Sequence, residues 1–479
     1  MTPVNGARPR VLVVAYDFPP HGAIGTMRTL RVVRELHARG WDVSVLTSDP
    51  AGFRDHTPLE PALLGKVPPG VRVIRAGALR PWERLENLLK SGAQTAPRSA
   101  TGAAAAPRAP RAPRTGIRAR VVAAHDLLDA AVAIPDRESA WLLPALARGA
   151  WASMLRARPD VIYSSAPPWT GQLVAAGLAT LLRRPWVADF RDPWSRAPWR
   201  EDRKPFVLRA NRLLEAQVVR RADAIIFATD GNQQEFAAHY GPSVAQKFHL
   251  VPNGCDPAEF APRAAEPEPD GPFVLLHAGS LYAGRTPLPL LRAVSACVRN
   301  GAIDPARFRL RFMGPAGVPL DWSTVCRELG LEQVVELVPR VPRERSVMAM
   351  HAASALLVLQ PGTMVSVPGK LYEYLAIGRP IFAIAEGETA ALVRASGIGV
   401  AVSSTDPPAI ERGLLKLLEI ASTPTAPPSR ELFDGTLRAA ETAAVLEAFV
   451  HRGGRLRRAA EASPVGKAGL HPDTDILQP

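Results

Sequence analysis

The chain has 479 residues, 47% of them hydrophobic and 22% charged, with a formal net charge of +13. That length exceeds what one hydrophobic core serves, so two domains are expected, and the composition excludes a disordered or fibrous chain. The positive charge calls for an anionic partner, whether nucleic acid, anionic lipid or a phosphorylated substrate.

Apolar runs stay short of the roughly 18 residues that mark a spanning helix, and the opening VLVVAY is too brief for a signal sequence, so a cytoplasmic protein is expected. The three cysteines, Cys255, Cys297 and Cys326, lack paired spacing, which predicts free thiols in a reducing compartment and no structural zinc.

From Arg10 the chain reads strand, Pro/Gly loop, amphipathic helix closed by Gly40, and strand, a βαβ unit whose two strands run parallel. DVIYSSAPP, PWVADFRDPW, DAIIFAT and FHLV read as further strands, with helices between them. Residues 96–120 interrupt this domain with Ala/Pro repeats, six arginines and no acid. Such a segment cannot build a core, and it suits either a solvated insert or a contact with anionic lipid. A linker near APRAAEPEPDGP precedes a second alternation, from FVLLHAG through FRLRFMG, VVELVPRV, SALLVLQP and RPIFAIAE to GIGVAVSS. The predicted organisation is a first domain over 1–262, a second over 270–425, a helix over 430–452 that packs back on the first domain, and a disordered tail over 455–479. Two doubly wound α/β domains in tandem bind ligands beyond the carboxyl ends of their strands.

VPGKLYEYLAIGRP, residues 367–380, carries the sharpest signal. Pro368 and Gly369 open a helix, Gly378 ends it, and a buried strand follows. Lys370 and Glu373 share the first turn, beside unpaired N–H groups and the positive end of the helix dipole. A lysine there neutralises phosphate, and a carboxylate accepts from two vicinal ribose hydroxyls, so the pair suits a nucleoside diphosphate. The same two residues also suit a glutamate that only complements the dipole and a solvated lysine. LLHAGSLYAGRTPLPLL adds a glycine-rich strand exit with Gly279, Gly284 and Arg285, another phosphate-cradling geometry. In the first domain, His21, Gly22 and Gly25 form a loop that brings backbone close to a ligand at a helix start. Asp49 follows the second strand, but the GxGxxG fingerprint is absent, which disfavours a dinucleotide. DFRDPW places Asp189, Arg191, Asp192 and Trp194 beyond a strand, as a salt-bridged loop or as an acceptor wall facing the crevice. Walker A, HExxH, GxSxG and CxxC patterns are missing, and the one Asp-x-Asp, DTD at 473–475, falls in the tail. No metal is therefore expected, and no nucleic-acid motif accompanies the charge.

Taken in order, YDFPPHGAIG, IPDRESAWLLPA, DVIYSSAPP, PWVADFRDPW, RRADAIIFAT, LVPNGCDP, LLHAGSLYAGR and VPGKLYEYLAIGRPIFA resemble the retaining glycosyltransferases of family 4, especially the bacterial branch of cell-envelope polysaccharide synthesis. The resemblance covers residues 10 to about 450. It implies the GT-B fold, two Rossmann-like domains facing across a cleft, and transfer of a sugar from a UDP- or GDP-sugar donor to a hydroxyl acceptor without metal or cofactor. It implies that Glu373 is the second glutamate of the family's E-x7-E element, the ribose anchor. The first glutamate falls on Val365, a departure from that pattern. The family's usual arginine falls near Ser280, so Arg285 and Lys370 are the expected diphosphate-binding and catalytic cations. The basic charge allows a lipid-linked acceptor and peripheral contact with an anionic membrane. A non-catalytic nucleotide-sugar-binding subunit and a nucleotide-sugar epimerase on the same fold are the alternatives.

Overall fold

The computed structural model describes residues 8–52, 59–79, 127, 130–155, 158–197, 204–261, 271–281, 284–424 and 426–461, with side chains to residue 450. The arginine-rich segment 96–120, the middle of the linker and residues 462–479 lie outside the described residues.

The first domain holds seven parallel strands: β1 (Arg10–Val14), β2 (Asp42–Ser48), β3 (Arg72–Ala76), β4 (Val161–Ala166), β5 (Trp186–Phe190), β6 (Ala224–Phe227) and β7 (Phe248–Leu250), in the order β3-β2-β1-β4-β5-β6-β7. Central strands such as β4, VIYSSA, are buried along their whole length, because helices cover both faces of a parallel sheet. One face carries α1 (Ile24–Ala38); the other packs on α2 (Leu142–Leu155), α3 (Thr170–Leu182), α4 (Pro205–Arg221), α5 (Asp230–Tyr240) and the short α6 (Pro242–Ala245).

The second domain repeats the plan with β8 (Phe273–Ala278), β9 (Phe308–Met313), β10 (Val335–Val338), β11 (Ala355–Gln360), β12 (Ile381–Ala385) and β13 (Gly399–Val402), in the order β10-β9-β8-β11-β12-β13. Its helices are α7 (Leu288–Arg299), α8 (Trp322–Leu329), α9 (Arg343–Ala352), α10 (Gly369–Ile377), α11 (Gly387–Ala395) and α12 (Pro407–Ala421). The strand order reverses between β1 and β4 in one sheet and between β8 and β11 in the other, and these reversals are where doubly wound folds open a crevice.

The last helix, α13 (Gly435–Glu461), returns to the first domain. Ala439, Ala443 and Leu446 complete the core over Leu30, Val33 and Leu36 of α1, and Arg39 meets Glu447 at 3.1 Å. The helix starts later than the predicted 430, and its backbone continues through residues 455–461, which the composition assigns to the tail. All three cysteines are buried and free.

Candidate functional site

At the second switch point the two central strands part. β8 and β11 pair only at Leu275↔Ala355 and Leu276↔Leu356, leaving His277 and Ala278 beyond the ladder. The buried hydroxyl of Tyr374 fills the gap: it accepts from Ala278 N at 2.9 Å and lies 3.2 Å from Ala278 O. Backbone groups that would otherwise be orphaned are thereby satisfied, and α10 is fixed against the strand end. α10 begins after Pro368 and stops at Gly378, whose φ is 77°, as the local sequence predicts.

Fixing α10 aims Lys370 back at the strand. Its Nζ lies 2.9 Å from Nε2 of His277, a side chain with no solvent exposure. Gly279 follows with φ 120°, and a Cβ there would stand 3.0 Å from that ammonium. Only glycine combines this backbone with room for the lysine. Burial, and next the charge of Arg285, push Lys370 down to about 7, while Glu373 works the other way. His277 is held well below its ordinary value by burial, Lys370 and Arg285. It is therefore neutral and accepts from Lys370 without cancelling the lysine's charge. Arg285 is half-buried, Gly284 is exposed with φ 88° and open space around it, and residues 282–283 between Leu281 and Gly284 lie outside the described residues.

Lys370 and Glu373 do not pair with each other. Glu373 accepts from Nη2 of Arg343 at 2.9 Å. That arginine, the first residue of α9, also approaches Glu259 at 3.7 Å and stacks over the Phe260 ring at 5.1 Å. Glu259 and Phe260 lie on the turn that closes the first domain, so the Glu373 carboxylate sits on the side where the two domains meet. Arg343 escaped the sequence reading because PRERS carries no motif; only the fold brings it 30 residues along the chain to Glu373. His277 and Tyr374 escaped for the same reason.

Val365, at the departed acid position, packs on Gly231 at the start of α5. A Cβ on Gly231 would lie 3.1 Å from Val365 and 3.0 Å from Glu388. Val365 O accepts from Thr229 at 2.7 Å, and Glu388 accepts from Gly231 N at 2.5 Å. This segment holds the domains together.

The first-domain candidates divide. A Cβ on Gly25 would fall 1.4 Å from Nη1 of Arg191, so the glycine admits that guanidinium onto the start of α1. Arg191 donates to Ala166 O at 3.2 Å and also to Pro167 O. Gly22 lies against Glu60, and Nδ1 of His21 is 3.1 Å from Asp17. Asp192 lines a cavity of about 250 Å3 with Asp136, Glu138 and Trp169. Burial raises its carboxyl above the ordinary range, against the pull of Arg191.

Asp189 and Trp194 are corrections to the acceptor wall. Asp189 is fully buried and accepts from Arg28 Nε at 2.8 Å and Nη2 at 2.9 Å, from Tyr163 at 2.7 Å and from Ser165 at 3.1 Å. Four donors of the protein itself hold this carboxylate. Trp194 stacks on Trp169 with centroids 4.7 Å apart and donates to Asn211 at 2.8 Å. Both hold β5 to its neighbours, and neither side chain reaches a crevice.

Two doubly wound parallel sheets, with Lys370 and Arg285 gathered at a strand-end switch point, define a two-domain protein of the GT-B class. Known families agree: residues 105–259 match the Glycosyltransferase Family 4 model and residues 272–420 the Glycosyl transferases group 1 model. The first domain is thus similar to family 4 glycosyltransferases and the second to the group 1 glycosyl transferases, each over about a third of the chain. A D-inositol 3-phosphate glycosyltransferase of Kineococcus radiotolerans is 33% identical over 199 residues, which is 39% of this chain and 45% of that protein. The chain thus aligns with less than half the length of that curated relative. Among solved structures, Anabaena HepE in complex with UDP and glucose superposes with a TM-score of 0.58 at 15% identity, over 92% of this chain and all of that one. Sucrose-phosphate synthase from Thermosynechococcus elongatus superposes at 0.55 with 17% identity, over 95% of this chain and all of that one. These likenesses establish the fold.

Proposed function

We propose that the protein transfers a glycosyl group from a nucleoside-diphosphate sugar to an acceptor hydroxyl with retention of configuration, in polysaccharide or glycoconjugate synthesis at the cell envelope. The observation that carries this reading is Lys370, buried against neutral His277 at a parted strand end, with Arg285 near enough to depress its pKa. Two like charges this close, with Lys370 largely withdrawn from water, raise each other's cost, and a diphosphate would relieve it. Negative charge grows on a departing diphosphate in the transition state, and cations already in position there form the largest expected catalytic contribution. Lys370, Arg285 and the N–H groups opening α10 would supply it. No metal is needed in this scheme.

Glu373 would take the ribose hydroxyls, steadied by Arg343. The UDP and glucose held by HepE support a UDP-sugar donor, with a GDP-sugar as the other candidate. The D-inositol 3-phosphate glycosyltransferases support a hydroxyl-bearing acceptor, which would enter past Arg191 and Asp192. The charge of +13 supports peripheral contact with an anionic membrane and an acceptor carried on lipid. Among the described residues no helix is long and apolar enough to cross a membrane.

Thermal-shift measurements against a panel of nucleotide sugars test the donor, since a ligand that binds only the folded form raises its apparent stability. At least one UDP- or GDP-sugar is expected to stabilise the protein, and Glu373→Gln is expected to weaken that nucleotide about tenfold, on the order of one lost charged hydrogen bond. Unchanged affinity in Glu373→Gln would remove the ribose role.

A further inference from the structure

One helix of the first domain turns an apolar face outward. α2 buries Ala145, Gly149 and Ser153, and Gly149 lies so close to Leu46 and Leu178 that a Cβ would come within 2.8 Å of each. On the other side Leu143, Trp151, Met154 and Leu155 are 65%, 62%, 67% and 62% exposed. At about 100° per residue these four fall within one third of the helix circumference. Leu181, near the end of the neighbouring α3 and 62% exposed, widens the face. Both helices connect parallel strands, so both run against the sheet direction. The apolar stripe therefore descends the flank of the domain from the cleft end, at Leu143, to the far end, at Leu155.

The rim of this face is basic. Arg148 is the sole charged residue of α2, and α3 has none. Arg148, Arg158 and Arg183 are exposed around it. A contiguous apolar face of this kind marks an interaction site. A second copy docking by a two-fold axis would press arginines toward arginines with no acid of either helix to pair them. A bilayer with anionic headgroups supplies the missing charge, and it accommodates a tryptophan at the boundary between acyl chains and water. The six arginines of residues 96–120 add to the same attraction.

We propose that the outer face of α2, with Leu181 of α3, is a docking surface for an anionic lipid membrane. Trp151, Met154, Leu155 and Leu181 enter the headgroup layer, and Arg148, Arg158 and Arg183 meet lipid phosphates. The inference rests on the reading of peripheral membrane contact, and is independent of the transfer chemistry. It lays the cleft rim beside the bilayer, where a lipid-borne acceptor lies within reach.

Sedimentation of the full chain with vesicles of phosphatidylcholine alone, or mixed with phosphatidylglycerol, tests it. Binding is expected to the mixed vesicles and to be much weaker without phosphatidylglycerol. Trp151→Glu combined with Leu155→Glu is expected to weaken binding on the order of a hundredfold, the loss that two buried side chains of this size imply. Arg148→Ala with Arg183→Ala should weaken it less and flatten its salt dependence. Unfolding temperature should not move, because all four positions are exposed. The proposal is overturned if the wild type ignores phosphatidylglycerol or if the Trp151/Leu155 variant binds as tightly as the wild type, which would assign the contact to residues 96–120. It is equally overturned if light scattering finds a dimer that this variant dissolves. A nucleotide thermal shift on the same samples separates the two readings: docking without any nucleotide response would count against the transferase and leave this surface standing.

Discussion

Replacing Asp189 with asparagine would leave the Arg28 guanidinium, 4% exposed, beside a neutral amide. Burial works against that guanidinium's charge, yet Asp189 holds its pKa above the ordinary range, so the pair acts as one unit. Breaking one member of such a pair costs about 3–5 kcal/mol, and urea denaturation of Asp189→Asn should show a loss of that size. A change confined to acceptor KM would instead restore the residue to the cleft. Lys370 carries the opposite sign. Its pKa in the folded protein is about 7 against the ordinary 10.5, so between those values the unfolded chain holds a proton that the folded one sheds, and stability rises with pH. Below that window the full cost of a buried charge applies. Lys370→Met should therefore stabilise the nucleotide-free protein by about 1–4 kcal/mol just below neutral pH, and flatten the alkaline rise. A variant less stable at every pH would contradict the assignment.

Among the elements, α10 was legible because its signals are local: Pro368 and Gly369 before it, Gly378 after it, and an apolar strand beyond. β3 was not. RVIRA carries Arg72 and Arg75 on a strand that pairs, among the described residues, with β2 alone, and a half-exposed edge lacks the continuous apolar run that betrays a central strand. α2 was missed because Pro144 and Gly149 interrupt its sequence and it has no polar face to set a helical period. Gly279 links two elements. Alanine there meets both the φ of 120° and the Lys370 ammonium, and should cost about 1–3 kcal/mol of stability while displacing the lysine. Melting curves that match the wild type, with nucleotide affinity intact, would mean that the strand exit relaxes freely.

At the scale of the whole molecule, the two-domain plan was legible because each βα alternation writes its own pattern, while the contacts that join the halves were not. Arg343 reaches Glu259 and Glu373, and Glu388 caps the start of α5; each spans a long stretch of sequence with no period to reveal it, whereas the return of the last helix, α13, to the first domain was expected. The missing carboxylate at Val365 became intelligible only when its neighbour proved to be Gly231 of the other domain. The account's central claim is that Lys370 and Arg285 grip a diphosphate at the second switch point. Calorimetric titration of UDP and GDP, in buffers of different ionisation enthalpy at slightly alkaline pH, tests it most directly. The account predicts that one nucleotide binds with uptake of up to one proton, as the phosphate restores the charge on Lys370, that affinity falls as pH rises above about 7, and that Lys370→Met binds more weakly with no proton uptake. Binding of equal strength in Lys370→Met, with no proton exchanged in either protein, would contradict it.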